Sequence, residues 1–253
     1  MLALLLTCIL PPQDPAPAPT PSPAAPPAAA PAEPPKVVEP WDDKTAKLAA
    51  DELAKLLKGT PTMAEKNQML ERLSTGSNKL LLKPLAQIVE NDKSIVIRKR
   101  AAELIANQPA ADANGQIRRL LKSPRVGSHP AVMGTLVRGL ARCGYVSQQW
   151  SEISDLFERE YQLDRVPVQE AVLDLVTQHK EKQAIPLLLR NFDEPIPENV
   201  DSASNPPAEY WEARWKSWAI WKGKVGDALF AITGQRFSKA AEAEAWLRQN
   251  RLK

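Results

Sequence analysis

Two cysteines and two histidines are all that this 253-residue chain contains, and that scarcity excludes whole classes of chemistry. Cys8 lies in an apolar stretch at the N-terminus, so Cys143 has no partner for an intramolecular disulfide framework. Cys143, within Leu140-Ala-Arg-Cys143, reads as a small buried hydrophobe. A zinc site needs His, Cys or carboxylates at ligand spacing. Neither His129 nor His179 has an acid or a cysteine three or four residues away. Glycine is also sparse, at ten residues, and no glycine-rich phosphate loop, dinucleotide fingerprint or serine elbow occurs. The carboxylate pairs Asp42-Asp43 and Asp193-Glu194 fall at a helix start and in a loop, where acids are ordinary. No catalytic constellation emerges, so a non-enzymatic protein without cofactor or metal is expected. Strand-like alternation is missing, aromatic residues make up only 6%, and no apolar run approaches the roughly 20 residues that span a bilayer. No membrane span is expected.

What the chain has in excess is unevenly placed. Residues 11–40 hold 13 of the 24 prolines, with alanine filling eight of the other seventeen positions. Such a segment has few apolar side chains to offset its ordering entropy, and reads as a disordered or polyproline-II-like linker. Before it, Met1–Leu10 is an apolar leader resembling the core of a secretory signal, without a preceding Lys or Arg and without a clear cleavage site. Export to the periplasm or cell envelope on a Pro/Ala tether is the expectation. A cytoplasmic location follows if the leader is incidental. The folded part is expected over 41–253.

There, Ala, Leu, Glu, Lys, Gln and Arg dominate, and apolar residues recur with helical period. The pattern predicts helices near 43–58, 62–74, 79–90, 94–107, 112–122, 129–143, 147–160, 166–179, 182–191, 207–233 and 239–250. Alternate helices repeat one another. Ile97, Ala101 and Leu104 share their spacing with Met133, Val137 and Leu140, with Val168, Val172 and Leu175, and with Val225, Leu229 and Ile232. Periods in the mid-thirties with two helices per unit mark a helical solenoid. A loop inserted at 193–209 lengthens the last unit.

Ser94-Ile-Val-Ile-Arg-Lys-Arg-Ala-Ala-Glu-Leu-Ile105 resembles the second helix of a HEAT repeat. Val225 to Phe237, with its Thr-Gly-Gln turn, and Ala243-Glu-Ala-Trp-Leu247 resemble the final unit of bacterial HEAT-repeat proteins of exported type. The resemblance spans about 41–253 and implies an all-α, right-handed α-solenoid of about five HEAT-like helix pairs with a Trp-rich C-terminal cap. It says little about function, because HEAT scaffolds include binding proteins, phycobilin lyases and DNA glycosylases. Gly134 stands where the HEAT arginine would fall, and Arg98, which occupies that place one unit earlier, is expected to pair with Asp92.

Two features stand out. Residues 93–142 carry ten bases against two acids, whereas 143–210 carry five bases against thirteen acids. In a repeat stack these become a positive block beside a negative one, a field able to orient a partner. Nucleic acid is disfavoured, since no aromatic side chain in 93–142 is available for base stacking and the acidic block would repel phosphate. The second feature is Trp211, Trp215, Trp218 and Trp221, spaced to share one side of a helix. Such a stripe is either core or a partly exposed aromatic groove. The expected function is a protein- or peptide-binding scaffold, with a HEAT-type lyase or a polyanion binder as rival readings. The candidate contact residues are Arg98, Lys99, Arg118, Arg119, Arg138, Arg142, Trp211, Trp215 and Trp218. The partner's identity and the oligomeric state are not specified by the sequence.

Overall fold

A computed structural model describes residues 38–159, 161–197 and 202–250. The expected leader and nearly all of the expected linker lie outside the described residues. What is described is all-α apart from one minimal strand pair. The helices are α1 (Asp43–Lys58), α2 (Met63–Leu73), α3 (Leu82–Asn91), α4 (Ile95–Ile105), α5 (Ala110–Leu121), the single turn α6 (Pro124–Gly127), α7 (Pro130–Arg142), α8 (Trp150–Glu158), α9 (Val166–His179), α10 (Ile185–Arg190), α11 (Ala208–Thr233) and α12 (Ala240–Gln249). Among the described residues, no helix is long and apolar enough to cross a membrane.

Local chemistry explains most boundaries. The Asp42 carboxylate accepts from the Thr45 N–H at 2.6 Å, closing the first turn of α1. Thr62 and Glu65 form a reciprocal capping box at the start of α2. Proline stands in the first turn of α6, α7, α9 and α10, where its missing N–H is not needed and its fixed φ suits a helix. Pro124 therefore starts the short α6, although proline in that place reads from sequence as a break. One further difference concerns Glu39 and Pro40, within the expected linker. They form β1 (Glu39–Pro40), which pairs in parallel with β2 (Gly76–Ser77). Trp41 follows β1 and lies on Gly76, where a Cβ would come within 2.1 Å of the indole ring. This position is restricted to glycine by close approach.

The packing follows the order of the chain. α3 pairs with α4, α5 with α7, α8 with α9, and α10 with α11, while α2, α4, α7, α9 and α11 each pack on the next. α12 packs against α10. One apolar core runs through all of these layers, from Ala49 in α1 to Ala243 in α12. The repeated triads supply it. Ile97, Ala101, Met133, Val137, Leu140, Val168, Val172, Leu175, Val225 and Leu229 are fully buried, and Ile232 packs against them part-exposed. The widest interface is that of α7 with α9, which approach so closely that a Cβ on Gly134 would lie 2.4 Å from the carbonyl oxygen of Pro167.

Buried polar side chains tie successive layers together. The Asn114 amide donates to the carbonyls of Cys143 and Gly144, at 3.0 and 3.1 Å. The Asn78 backbone N–H donates to the Gln108 side-chain oxygen at 2.9 Å, and its side-chain amide donates to the Trp41 carbonyl at 3.0 Å. Each bond offsets the desolvation of a polar group that would otherwise be orphaned.

Candidate binding surface

Lys99 and Glu103 stand four residues apart on one side of α4, and Asn107 follows in the turn just past its end. Thr135, Arg138 and Arg142 on α7, and Asp174 and Gln178 on α9, likewise share one side of their helices. Because the three helices pack side by side, these faces join to line an open cavity of about 620 Å³, with Ala141 and Leu175 also in its wall. Three of the candidate residues, Lys99, Arg138 and Arg142, therefore converge on one site.

The charges inside this cavity are only partly neutralised. Arg138 Nε lies 3.6 Å from the Asp174 carboxylate, and Lys224 reaches across from α11 to the same carboxylate at 2.7 Å. Gln178 and Thr135 donate to the carbonyls of Ala141 and Ala131, at 3.2 and 3.0 Å. Lys99 and Arg142 have no acidic partner among the described residues. The cavity thus offers two exposed cations and a mixed polar wall, an arrangement suited to holding carboxylates and amides of an extended chain.

The other basic candidates lie elsewhere. Arg98 is 3% exposed, and its guanidinium donates to the carbonyls of Val89 at 2.6 Å and Arg125 at 2.7 Å. Arg98 is accordingly removed from the contact residues: its donors are consumed in joining α3 to α6. The expected pairing with Asp92 is replaced as well, because Asp92 binds Lys66 at 2.6 Å and influences Arg98 only through space. Burial pulls the Arg98 pKa down, and the Asp92 charge partly restores it. Arg118 forms a two-point bond with Glu152 on α8, at 3.0 and 2.5 Å, and Lys122 joins the same carboxylate at 3.2 Å. Hydrogen bonding to Arg118 chiefly holds the Glu152 pKa down at about 2. Arg119 lies 3.4 Å from Glu90 on α3. Neither Arg118 nor Arg119 reaches the cavity.

The tryptophan stripe runs along α11 and divides by angle. At about 100° per residue, Trp215, Trp211, Trp218 and Trp221 spread over an arc of roughly 120°, and burial deepens across it. Trp215 is 46% exposed, Trp218 9% and Trp221 fully buried, with Trp211 part-exposed. The Trp221 indole donates to Gln169 at 2.9 Å and meets Phe157 edge-on at 5.0 Å. Trp215 donates to Glu194 at 2.5 Å. The neighbouring Asp193 accepts from the first backbone N–H of α12 at 3.1 Å, so the two loop acids hold α11 and α12 in place. The stripe is core at one edge and surface at the other.

Sequence reasoning overlooked Glu103, Asn107, Asp174 and Gln178 in the cavity. The signal was present: stepping Arg138 and Arg142 back one repeat reaches Glu103 and Asn107, and stepping forward one reaches Asp174 and Gln178. The histidines and the cysteine play local parts. His179 Nε2 lies 2.8 Å from the Ala141 carbonyl. Burial, with the nearby Arg98 charge, lowers the His129 pKa. Burial pushes the Cys143 thiol up, and its S–H donates to Ala106 at 3.3 Å. Among the described residues, no three His, Cys, Asp or Glu side chains gather as a metal site would require. Compared with known proteins, the chain matches no family model, no curated protein and no solved structure.

Proposed function

We propose that this protein is a HEAT-type α-solenoid whose inner face, made by α2, α4, α7, α9 and α11, binds an extended acidic segment of another protein. Five successive helix pairs support the solenoid reading: α1/α2, α3/α4, α5/α7, α8/α9 and α10/α11, each resting on the one before. So does the spacing of the ion pairs. Glu71 with Arg100, Glu90 with Arg119, Arg118 with Glu152 and Arg138 with Asp174 all join residues about one repeat apart. A right-handed stack with a Trp-rich last unit, carried outside the cytoplasm on the Pro/Ala tether, completes the proposal.

The carrying observation is the cavity across α4, α7 and α9, with Lys99 and Arg142 facing it and lacking acidic partners among the described residues. Unpaired cations in a concave, repeat-built groove steer and hold carboxylates without demanding one rigid ligand shape. Binding as a scaffold needs no catalytic group, and the residues lining the groove supply positioning contacts. A random peptide display library panned against the full chain tests this. Enrichment of Asp/Glu-bearing peptides is expected, with binding to the Lys99→Glu/Arg142→Glu variant at least about tenfold weaker. Panning that enriches no acidic sequence, or peptides that bind the double variant equally well, would overturn the reading.

A further inference from the structure

A second site lies where α11 begins. The Arg214 guanidinium sits 4.8 Å from the centre of the Tyr161 ring and 5.7 Å from that of Trp211. Tyr210 closes the group, edge-on to both Tyr161 and Trp211 at 6.1 and 5.3 Å. Aromatic faces attract a cation but do not neutralise it. No carboxylate pairs with Arg214 among the described residues, and its Nε is buried without a hydrogen-bond partner. A guanidinium with one N–H cut off from water and no anion beside it is costly to hold unless something else supplies an acceptor.

Its neighbours along α11 share the deficit. The indole N–H groups of Trp211 and Trp218 and the Ser217 hydroxyl are also buried and unpartnered. Ser217 is 0% and Trp218 9% exposed, whereas Trp211 and Arg214 keep part of their surface open. The row therefore has an open end and a closed one. Indole and guanidinium groups only donate, so what the row lacks is acceptors. A native fold rarely leaves several buried donors unmet side by side. The helix also shows what satisfies such a donor. One turn beyond Trp211, the indole of Trp215 donates to the Glu194 carboxylate at 2.5 Å, and further on Trp221 donates to the Gln169 carbonyl oxygen at 2.9 Å.

We infer that Arg214, Trp211 and Trp218 form a receptor for a carboxylate group of a peptide ligand, entering between Trp211 and Arg214. The carboxylate accepts from the Arg214 guanidinium and from the Trp211 indole, and the aromatic rings keep water from competing. The site is independent of the cavity at Lys99 and Arg142, because it lies on different helices and uses different side chains.

The test uses the full chain labelled with nitrogen-15, whose indole N–H resonances are assigned by single Trp→Phe substitutions. Three short acetylated peptides serve as probes: one with a free C-terminal carboxylate, its C-terminal amide, and an amide carrying a single Glu. Saturable downfield shifts of the Trp211 and Trp218 resonances are expected with a carboxylate peptide and not with the plain amide, while Trp221, already bound to Gln169, stays still. Which of the two carboxylate peptides acts identifies the source as a chain terminus or a side chain. Arg214→Gln should weaken the response about tenfold or more, and Arg214→Lys, which keeps the charge but not the fork, should weaken it less. The Lys99→Glu/Arg142→Glu variant should respond as wild type, so failure at one site is separable from failure at the other. The inference is overturned if neither carboxylate peptide gives saturable shifts, if the neutral amide gives the same shifts, or if Arg214→Gln binds unchanged. In those cases ordered water alone meets these donors.

Discussion

Replacing Gly134 by alanine sets two known effects against each other, and the structure decides between them. In a helix interior alanine is preferred over glycine by about 1 kcal/mol. At Gly134, however, the added Cβ would lie 2.4 Å from the Pro167 carbonyl oxygen, 2.9 Å from its carbonyl carbon and 3.4 Å from the Val168 nitrogen. All three are backbone atoms of α9, so no side-chain rotation relieves the overlap. α7 must instead withdraw from α9 by about an ångström, opening the interface around Met133, Val137, Val168 and Val172, where dispersion falls steeply with distance. Overpacking of this kind costs about 1–3 kcal/mol, so a net loss of up to about 2 kcal/mol is expected for Gly134→Ala. Gly115→Ala is the control. Gly115 is also helical, but nothing lies within 4 Å of its added Cβ, so propensity acts alone and stability should rise by about 0.5–1 kcal/mol. Urea midpoints read the two against wild type at a common slope. Equal stabilisation by both substitutions would refute the close seating of α7 on α9.

The remaining predictions concern charge. Arg98→Met keeps the stem but leaves the carbonyls of Val89 and Arg125 without their donor. It should cost about 2–4 kcal/mol in a denaturant melt, and a loss under about 0.5 kcal/mol would contradict the buried assignment. The Arg118 hydrogen bonds hold the Glu152 pKa in the folded protein at about 2, below the ordinary 4.5 of a glutamate. The Glu152 contribution is therefore complete above about pH 5 and disappears as pH falls toward 2. Because the pair is partly exposed, that contribution is about 1 kcal/mol. Glu152→Gln should be less stable than wild type at pH 7 and approach it near pH 2; a gap that stays constant with pH would rule out the ion pair as its origin.

Helices were legible wherever burial repeats. The α1 boundaries follow from apolar period plus the Asp42 cap, and those of α9 from apolar period with Pro167 in its first turn. Two things were not legible. The β1/β2 pair is only two residues long on each side, too short for alternation to register, and it depends on Trp41 finding Gly76 across the chain. The fate of an arginine was equally hidden. Arg98 and Lys99 are adjacent in sequence, yet the helix turns one into the α3/α6 contact and the other toward the cavity. A rotation of about 100° separates a structural guanidinium from a free cation, and composition carries no trace of it.

The basic and acidic blocks show how far a one-dimensional charge pattern predicts a surface. Read along the chain, ten bases followed by thirteen acids suggest a large dipole. Yet residues one repeat apart sit on neighbouring helices, so the end of the basic block lies against the start of the acidic one. There Arg118 and Lys122 meet Glu152, and Arg138 meets Asp174. Part of the segregation is therefore spent at its own boundary, where opposite charges on adjacent layers favour the native order of stacking. Charges further from the boundary find smaller-scale partners: Arg100 binds Glu71, Arg119 approaches Glu90, and Arg190 binds Glu158. What survives as an external field is the remainder, and it is local. It includes Lys99 and Arg142 at the cavity and Arg214 in its aromatic cage, none of them paired with a carboxylate among the described residues. A binding surface in such a fold is thus found by subtraction, taking the charges the chain presents and removing those that its own repeats neutralise.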